Sequence, residues 1–65
     1  MAIHVNGAPA DVAPGPLTAL LQALDYGDMI VATAVNGEFV PAEERDTTEV
    51  RDGDRVEILA PMQGG

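Results

Sequence analysis

The chain has no cysteine. Disulfide staples, thiolate metal sites and thiol catalysis are therefore excluded, and stability has to come from close packing. Aromatic residues are almost missing too, Tyr26 and Phe39 being the only two. Three basic side chains stand against eleven acidic ones, for a net charge of −8. That balance excludes nucleic-acid binding through a basic patch and disfavours adsorption to an anionic membrane. It fits a surface that keeps a small protein in solution, and it also fits steering toward a basic partner. No apolar run approaches the roughly 18 residues of a membrane span. The opening Met1-Ala2-Ile3-His4 carries no basic stretch. No signal peptide is therefore expected, and the expected location is cytoplasmic.

What is present suits one small domain. A chain of 65 residues allows a single core burying roughly 60% of the unfolded surface. Ile3 and Val5 alternate with Ala2, His4 and Asn6, which predicts a half-buried strand beginning at Met1. Asn6-Gly7 marks a tight turn, because both residues tolerate positive φ. A second strand is expected from Ala8 to Val12, with Pro9 placing it at an edge. Ala13-Pro14-Gly15-Pro16 breaks the pattern, and Pro16 is expected as the first helical residue. Leu17, Leu20, Leu21 and Leu24 recur at i, i+3, i+4 and i+7, which predicts a helix whose stripe faces the core. Gly27 is expected to stop that helix.

Ile30 to Val35 is nearly continuously apolar and is expected to form an inner strand. Asn36-Gly37 is a second turn signal, leading into Phe39-Val40 and ended by Pro41. Ala42 to Val50 reads as a polar surface crossing with a short helical turn. Asp52-Gly53 is a third turn. Arg55 to Leu59 then alternates, sending Val56 and Ile58 one way and Arg55, Glu57 and Leu59 the other. The expected order is β-β-α-β-β-β, without repeats or a second domain. Residues 1–60 are expected to form an α+β domain, a mixed sheet with one main helix across one face. Parallel pairing of the first and last long strands would place that helix in the connection between them. Residues 61–65 are expected to form a flexible tail.

Conventional active-site chemistry is sparse. His4 is the only histidine, with neither cysteine nor an acid–base partner nearby in sequence, and reads as structural. Asp52-Gly53-Asp54 lacks the further oxygen ligands of a calcium loop. Glu43-Glu44-Arg45-Asp46 reads as a solvated face. The scattered glycines form no phosphate-cradling loop. Neither a metal nor a bound cofactor is expected.

That leaves Gly64-Gly65. A residue without Cβ leaves its carboxylate sterically bare, and a second one lets the segment thread a narrow channel. The plainer alternative is a frayed terminus. A carboxylate becomes an acyl donor once its oxygen is a good leaving group. Adenylation by ATP achieves this, and a sulfur nucleophile can then displace AMP. The carrier needs no catalytic side chain, only an unhindered end and a globular handle.

The whole chain resembles the small sulfur-carrier proteins of thiamine biosynthesis. The resemblance runs through Ile3-His4-Val5-Asn6-Gly7, the helix from Leu17 to Leu24, Val35-Asn36-Gly37-Glu38-Phe39-Val40-Pro41, Asp52-Gly53-Asp54-Arg55-Val56-Glu57-Ile58-Leu59 and Gly64-Gly65. It implies a ubiquitin-like β-grasp fold. It implies that an E1-like enzyme uses ATP to adenylate Gly65, with Gly64 keeping the approach clear. A sulfur donor system would convert the adenylate to a thiocarboxylate, and thiazole synthase would take the sulfur. Related carriers serve molybdopterin synthesis and other sulfur transfers. Two further readings stay open: a ubiquitin-like modifier joined to target lysines, and a plain binding module whose glycines are incidental. The tail is too short to confer partner specificity alone. Leu59 is either buried at the sheet's end or exposed. If exposed, Leu59, Met62 and Phe39 would form an apolar patch, with Glu57 and Asp54 as its acidic surroundings.

Overall fold

The computed structural model describes residues 2–60. The expected strand start at Met1 and the expected tail, residues 61–65, lie outside the described residues. Asn-Gly pairs fold the two hairpins. Asn6 and Gly7 have φ of 52° and 86°, and Asn36 and Gly37 repeat those values. Two successive positive φ angles give the turn whose twist matches that of the flanking strands. The first turn joins β1 (Ile3–Val5) to β2 (Ala8–Ala10). A short strand β3 (Gly15–Pro16) then leads into α1 (Leu17–Ala23). The second turn joins β4 (Ala32–Val35) to β5 (Glu38–Val40). A 3₁₀ helix (Ala42–Thr47), β6 (Glu49–Val50) and β7 (Arg55–Leu59) complete the described chain.

Five strands form one sheet in the order β2-β1-β7-β4-β5, and β3 and β6 form a separate antiparallel pair. The last strand is therefore the middle one. β7 runs parallel to β1 and antiparallel to β4, while β1–β2 and β4–β5 are antiparallel hairpins. The parallel pairing requires a long crossover, which carries α1. This mixed sheet with one main helix is the ubiquitin-like β-grasp arrangement. Pro9 lies on edge strand β2, where its missing donor is harmless.

The core lies between helix and sheet. Ile3, Val56 and Ile58 meet Leu17, Leu20 and Leu21, with Val31, Val40 and Val50 closing the sides. Leu24, Val12 and Tyr26 pack against the rim. Burying one such aliphatic side chain stabilises the fold by roughly 1.5–3 kcal/mol relative to exposing it. The buried Thr33 is satisfied within this core. Its hydroxyl donates to the Val40 carbonyl at 2.8 Å and accepts from Arg45 Nε at 3.2 Å. Arg45 Nη2 also donates to the Val31 carbonyl at 2.6 Å, so one guanidinium ties the 3₁₀ helix to the strand edge. Among the described residues no buried side-chain nitrogen or oxygen lacks a partner.

Several boundaries differ from the sequence expectation. Pro16 is the N-cap rather than the first helical residue, with extended backbone at φ −63° and ψ 146°. It pairs with Glu49 in the small sheet, and the first helical N–H, that of Leu17, donates to the Thr48 carbonyl at 2.8 Å. The second strand stops at Ala10, short of the expected Val12. The inner strand starts at Ala32 instead of Ile30, because Leu59 facing Ala32 is the last register pair. The two-residue strands β3 and β6 were not expected, since no periodicity shows in two residues.

Gly27 does not end the helix. The chain reverses at Asp25, whose φ is 67°. Tyr26 N–H donates to the Leu21 carbonyl at 2.8 Å and Asp25 N–H to the Gln22 carbonyl at 3.1 Å. These are the paired bonds of a Schellman ending, with aspartate where glycine is the usual residue. Left-handed backbone strains a side-chain-bearing residue by about 1–2 kcal/mol, partly offset by glycine's extra unfolded entropy of about 0.5–1 kcal/mol. Asp25→Gly is expected to raise stability by up to about 1 kcal/mol, read as a higher urea midpoint with unchanged slope. A lower midpoint would show that the Asp25 side chain contributes more than its backbone costs.

Candidate functional site

β7 divides its side chains between two environments. Val56 and Ile58 are buried under the helix, whereas Arg55, Glu57 and Leu59 face out from the other side of the sheet. Leu59 is 72% exposed, which settles its orientation in favour of solvent. Phe39, on β5, is 69% exposed. The register brings these residues together. Phe39 stands opposite Ala34, and Ala34 stands opposite Glu57. Leu59 stands one step along, opposite Ala32. Phe39, Glu57 and Leu59 thus line one shallow groove floored by the small side chains Ala32 and Ala34.

The sequence reading placed Ile30 in the inner strand. Ile30 instead precedes β4 and is 85% exposed, while Val31 beside it is buried.

Asp54 does not line that groove. It stands before β7, where its carboxylate accepts from Arg51 N–H at 2.9 Å and from Asn36 Nδ2 at 3.1 Å. These bonds, the backbone donor first, hold its carboxyl below the usual carboxylate range. Met62, Gly64 and Gly65 lie outside the described residues. His4 is half-buried on β1. No group of three or more His, Asp or Glu that could hold a metal occurs among the described residues. No described helix is long and apolar enough to cross a membrane.

The two asparagines do more than make turns. Asn6 Oδ1 accepts from Ile58 N–H at 2.8 Å, and its Nδ2 donates to the Ile58 carbonyl at 3.1 Å. Asn36 Oδ1 accepts from Arg55 N–H at 2.9 Å, while its own N–H donates to the Arg55 carbonyl at 2.7 Å. Each turn is thereby fastened to β7, Asn36 at its start and Asn6 near its end. The site is an open sheet face, and its central strand is followed in sequence by Ala60 and Pro61.

The sequence pattern of the ThiS family matches residues 3–65. The chain belongs to the ThiS family. The crystal structure of the thiamine biosynthesis protein (ThiS) from Geobacter metallireducens is similar throughout. It is 39% identical, with a TM-score of 0.81 and the whole of both chains covered. A solution structure of a thiamine biosynthesis protein from the same organism is 40% identical, with a TM-score of 0.82, covering all of this chain and 88% of that one. The uncharacterized protein ycf40 of Porphyra purpurea is 32% identical over 66 residues, covering all of this chain and 93% of its own length.

In this ThiS-family chain the lowered carboxyl of Asp54 gives stability a pH dependence of definite sign. Its contribution is fully present above the ordinary carboxylate value of about 3.9 and is lost as pH falls through the lower native value. Asp54→Asn removes that titration. The urea midpoints of wild type and variant should differ most above about pH 5 and converge below about pH 4. A gap that stays constant down to acid would show that the Asp54 bonds do not depend on its charge.

Proposed function

We propose that this protein is a sulfur carrier of thiamine biosynthesis whose reactive group is the Gly65 carboxylate. The observation that carries the reading is the match of the chain, through residue 65, to the ThiS family. The likeness to the two Geobacter metallireducens structures supports the thiamine branch over molybdopterin or other sulfur-transfer branches. In the proposed sequence a Gly65 carboxylate oxygen attacks the α-phosphorus of ATP on an E1-like partner, and pyrophosphate leaves. Hydrosulfide delivered by the donor system then attacks the acyl carbon, AMP leaves and a proton is released, which gives the thiocarboxylate directly. The thiocarboxylate passes its sulfur to thiazole synthase. ATP is used by the activating partner, and the carrier itself supplies no catalyst. Gly64 keeps the approach to the reacting carbon unhindered.

Deleting Gly65, or replacing it with Val, is expected to abolish ATP–pyrophosphate exchange by the activating enzyme while leaving the circular dichroism unchanged. Native protein should show, by intact mass, replacement of one oxygen by one sulfur. Undiminished exchange by the truncated chain would overturn the carrier reading. Recovery of the chain in isopeptide linkage to lysines of other proteins would redirect it to a modifier.

The open face is the proposed handle. Leu59 and Phe39 form an apolar centre with Glu57 beside them, the arrangement that combines affinity with charge-guided encounter. Met62 belongs to the same proposal by sequence, and Asp54 contributes to the acidic field from the start of β7. Leu59→Asp is expected to speed dissociation from the activating enzyme at least about fivefold, the counterpart of ~1 kcal/mol at an apolar hot spot. Glu57→Lys should mainly slow association, and association of the wild type should slow with salt, since exposed charges are screened beyond about 8–10 Å at 0.1–0.15 M. Stopped-flow binding at two ionic strengths separates these effects. Association unaffected by salt would remove the steering, and unchanged dissociation of a folded Leu59→Asp variant would remove the patch.

A further inference from the structure

β1 is too short to accompany β7 to its end. Its register pairs are His4 with Arg55 and Val5 with Val56, after which the chain turns at Asn6-Gly7. The Asn6 N–H takes the Val56 carbonyl at 2.9 Å. Alternate residues of a strand present their polar backbone atoms to alternate edges. Ile58 therefore also turns its N–H and carbonyl toward β1, where no strand remains. The Asn6 side chain fills that place, one amide oxygen for the Ile58 N–H and one amide nitrogen for its carbonyl. A primary amide has the same donor and acceptor pair as a peptide group. Asn6 thus acts as a surrogate strand residue, and Ile58 is held on an edge that would otherwise be bare.

Ile58 lies two residues before Ala60, where the described chain gives way to residues 61–65. On the opposite edge β4 reaches only as far as the Ala32–Leu59 pair. The end of β7, which precedes the tail in sequence, is consequently held from two sides, by β4 and by one side-chain amide. We propose that Asn6 is a positioning residue for the tail: it aims the segment that ends in Gly65 relative to the docking face, without touching the reacting atoms. The inference rests on the carrier reading given above. Asn36 supplies an internal control. It sits in the same kind of turn, has the same φ and clamps the same strand, but at Arg55, the end remote from the tail.

The decisive variants are Asn6→Gly and Asn36→Gly. Each keeps a residue that accepts positive φ, adds no charge and removes the side-chain bond to β7. In Asn6→Gly both bonds to Ile58 are lost, and the end of β7 is released on that side. In Asn36→Gly the bond to the Arg55 N–H is lost at the start of the strand, together with the Asn36–Asp54 bond. ATP–pyrophosphate exchange with the activating enzyme would be measured on the full chain, at a temperature where circular dichroism shows all variants folded. Asn6→Gly is expected to lower kcat about tenfold, the scale of one or two neutral hydrogen bonds acting on the tail, with little change in KM. Asn36→Gly is expected to retain the wild-type kcat. Amide hydrogen exchange at Ile58 should quicken in Asn6→Gly alone. Asn6→Asp, which keeps the acceptor for the Ile58 N–H and loses the donor to its carbonyl, provides a second comparison, should the glycine variant fail to fold.

Wild-type kcat in a folded Asn6 variant, or an equal loss in Asn36→Gly, would overturn the positioning role while leaving the carrier reading intact. Absence of exchange by the wild-type chain would overturn both.

Discussion

The pairing of the first strand with the last is the constraint on which the rest of the fold depends. Residues 4–6 meet residues 55–58, and the Asn6–Ile58 bonds close a separation of 52 positions. Everything between must fit in that closure. The helix occupies the crossover that parallel strands demand, and β4 and β5 attach to the free edge of β7. Ile3 on β1 and Val56 and Ile58 on β7 are the sheet residues on which Leu17, Leu20 and Leu21 rest. Such long-range closure is entropically costly before the contacts it permits are made. In a chain with no disulfide the cost is met by a small aliphatic core and by backbone pairing on both sides of β7.

That arrangement divides the sheet by purpose. The covered face carries stability, and Thr33, the one buried polar side chain among the described residues, is engaged by Val40 and Arg45. The uncovered face carries Phe39 and Leu59, apolar groups that the folded chain leaves in water. Burial on folding cannot account for them, and an apolar strip of this kind on a small acidic domain is what a partner would cover. The strand that forms the middle of the core is also the one that runs out toward Gly65. Under the positioning proposal, the aim of the tail and the integrity of the core would be coupled through β7.

Asparagine links these two aspects. In both Asn-Gly turns the side-chain amide is free to bond elsewhere, because the turn itself is made by backbone alone. Asn6 and Asn36 use that freedom to grip β7 at opposite ends. Aspartate would keep the turn in each case, but at position 6 it would lose the donor to the Ile58 carbonyl and at position 36 the donor to the Asp54 carboxylate, which is why the choice of asparagine has meaning beyond turn propensity. At Asp25 the reverse holds: the left-handed position asks for glycine, and the chain uses a residue that only tolerates it.

The local chemistry of the chain determined much by itself. The leucine stripe, the Asn-Gly and Asp-Gly turns and the alternation of Arg55 to Leu59 identified the helix, both hairpins and the facing of β7, since each is set by spacing within a few residues. The Gly64-Gly65 end and the order of motifs pointed to a sulfur carrier before any strand was placed. Only the tertiary structure decided the rest. Helix ends depend on which distant carbonyl takes an N–H, as Thr48 does for Leu17, and no local pattern carries that. β3 and β6 exist because the crossing segment returns beside Gly15-Pro16, not because two residues prefer to be strand. Ile30 reads as strand by composition and lies exposed before β4, which begins only where Ala32 pairs with Leu59. The second role of Asn6 was hidden for the same reason: its partner lies at the other end of the chain, and only folding brings the two together.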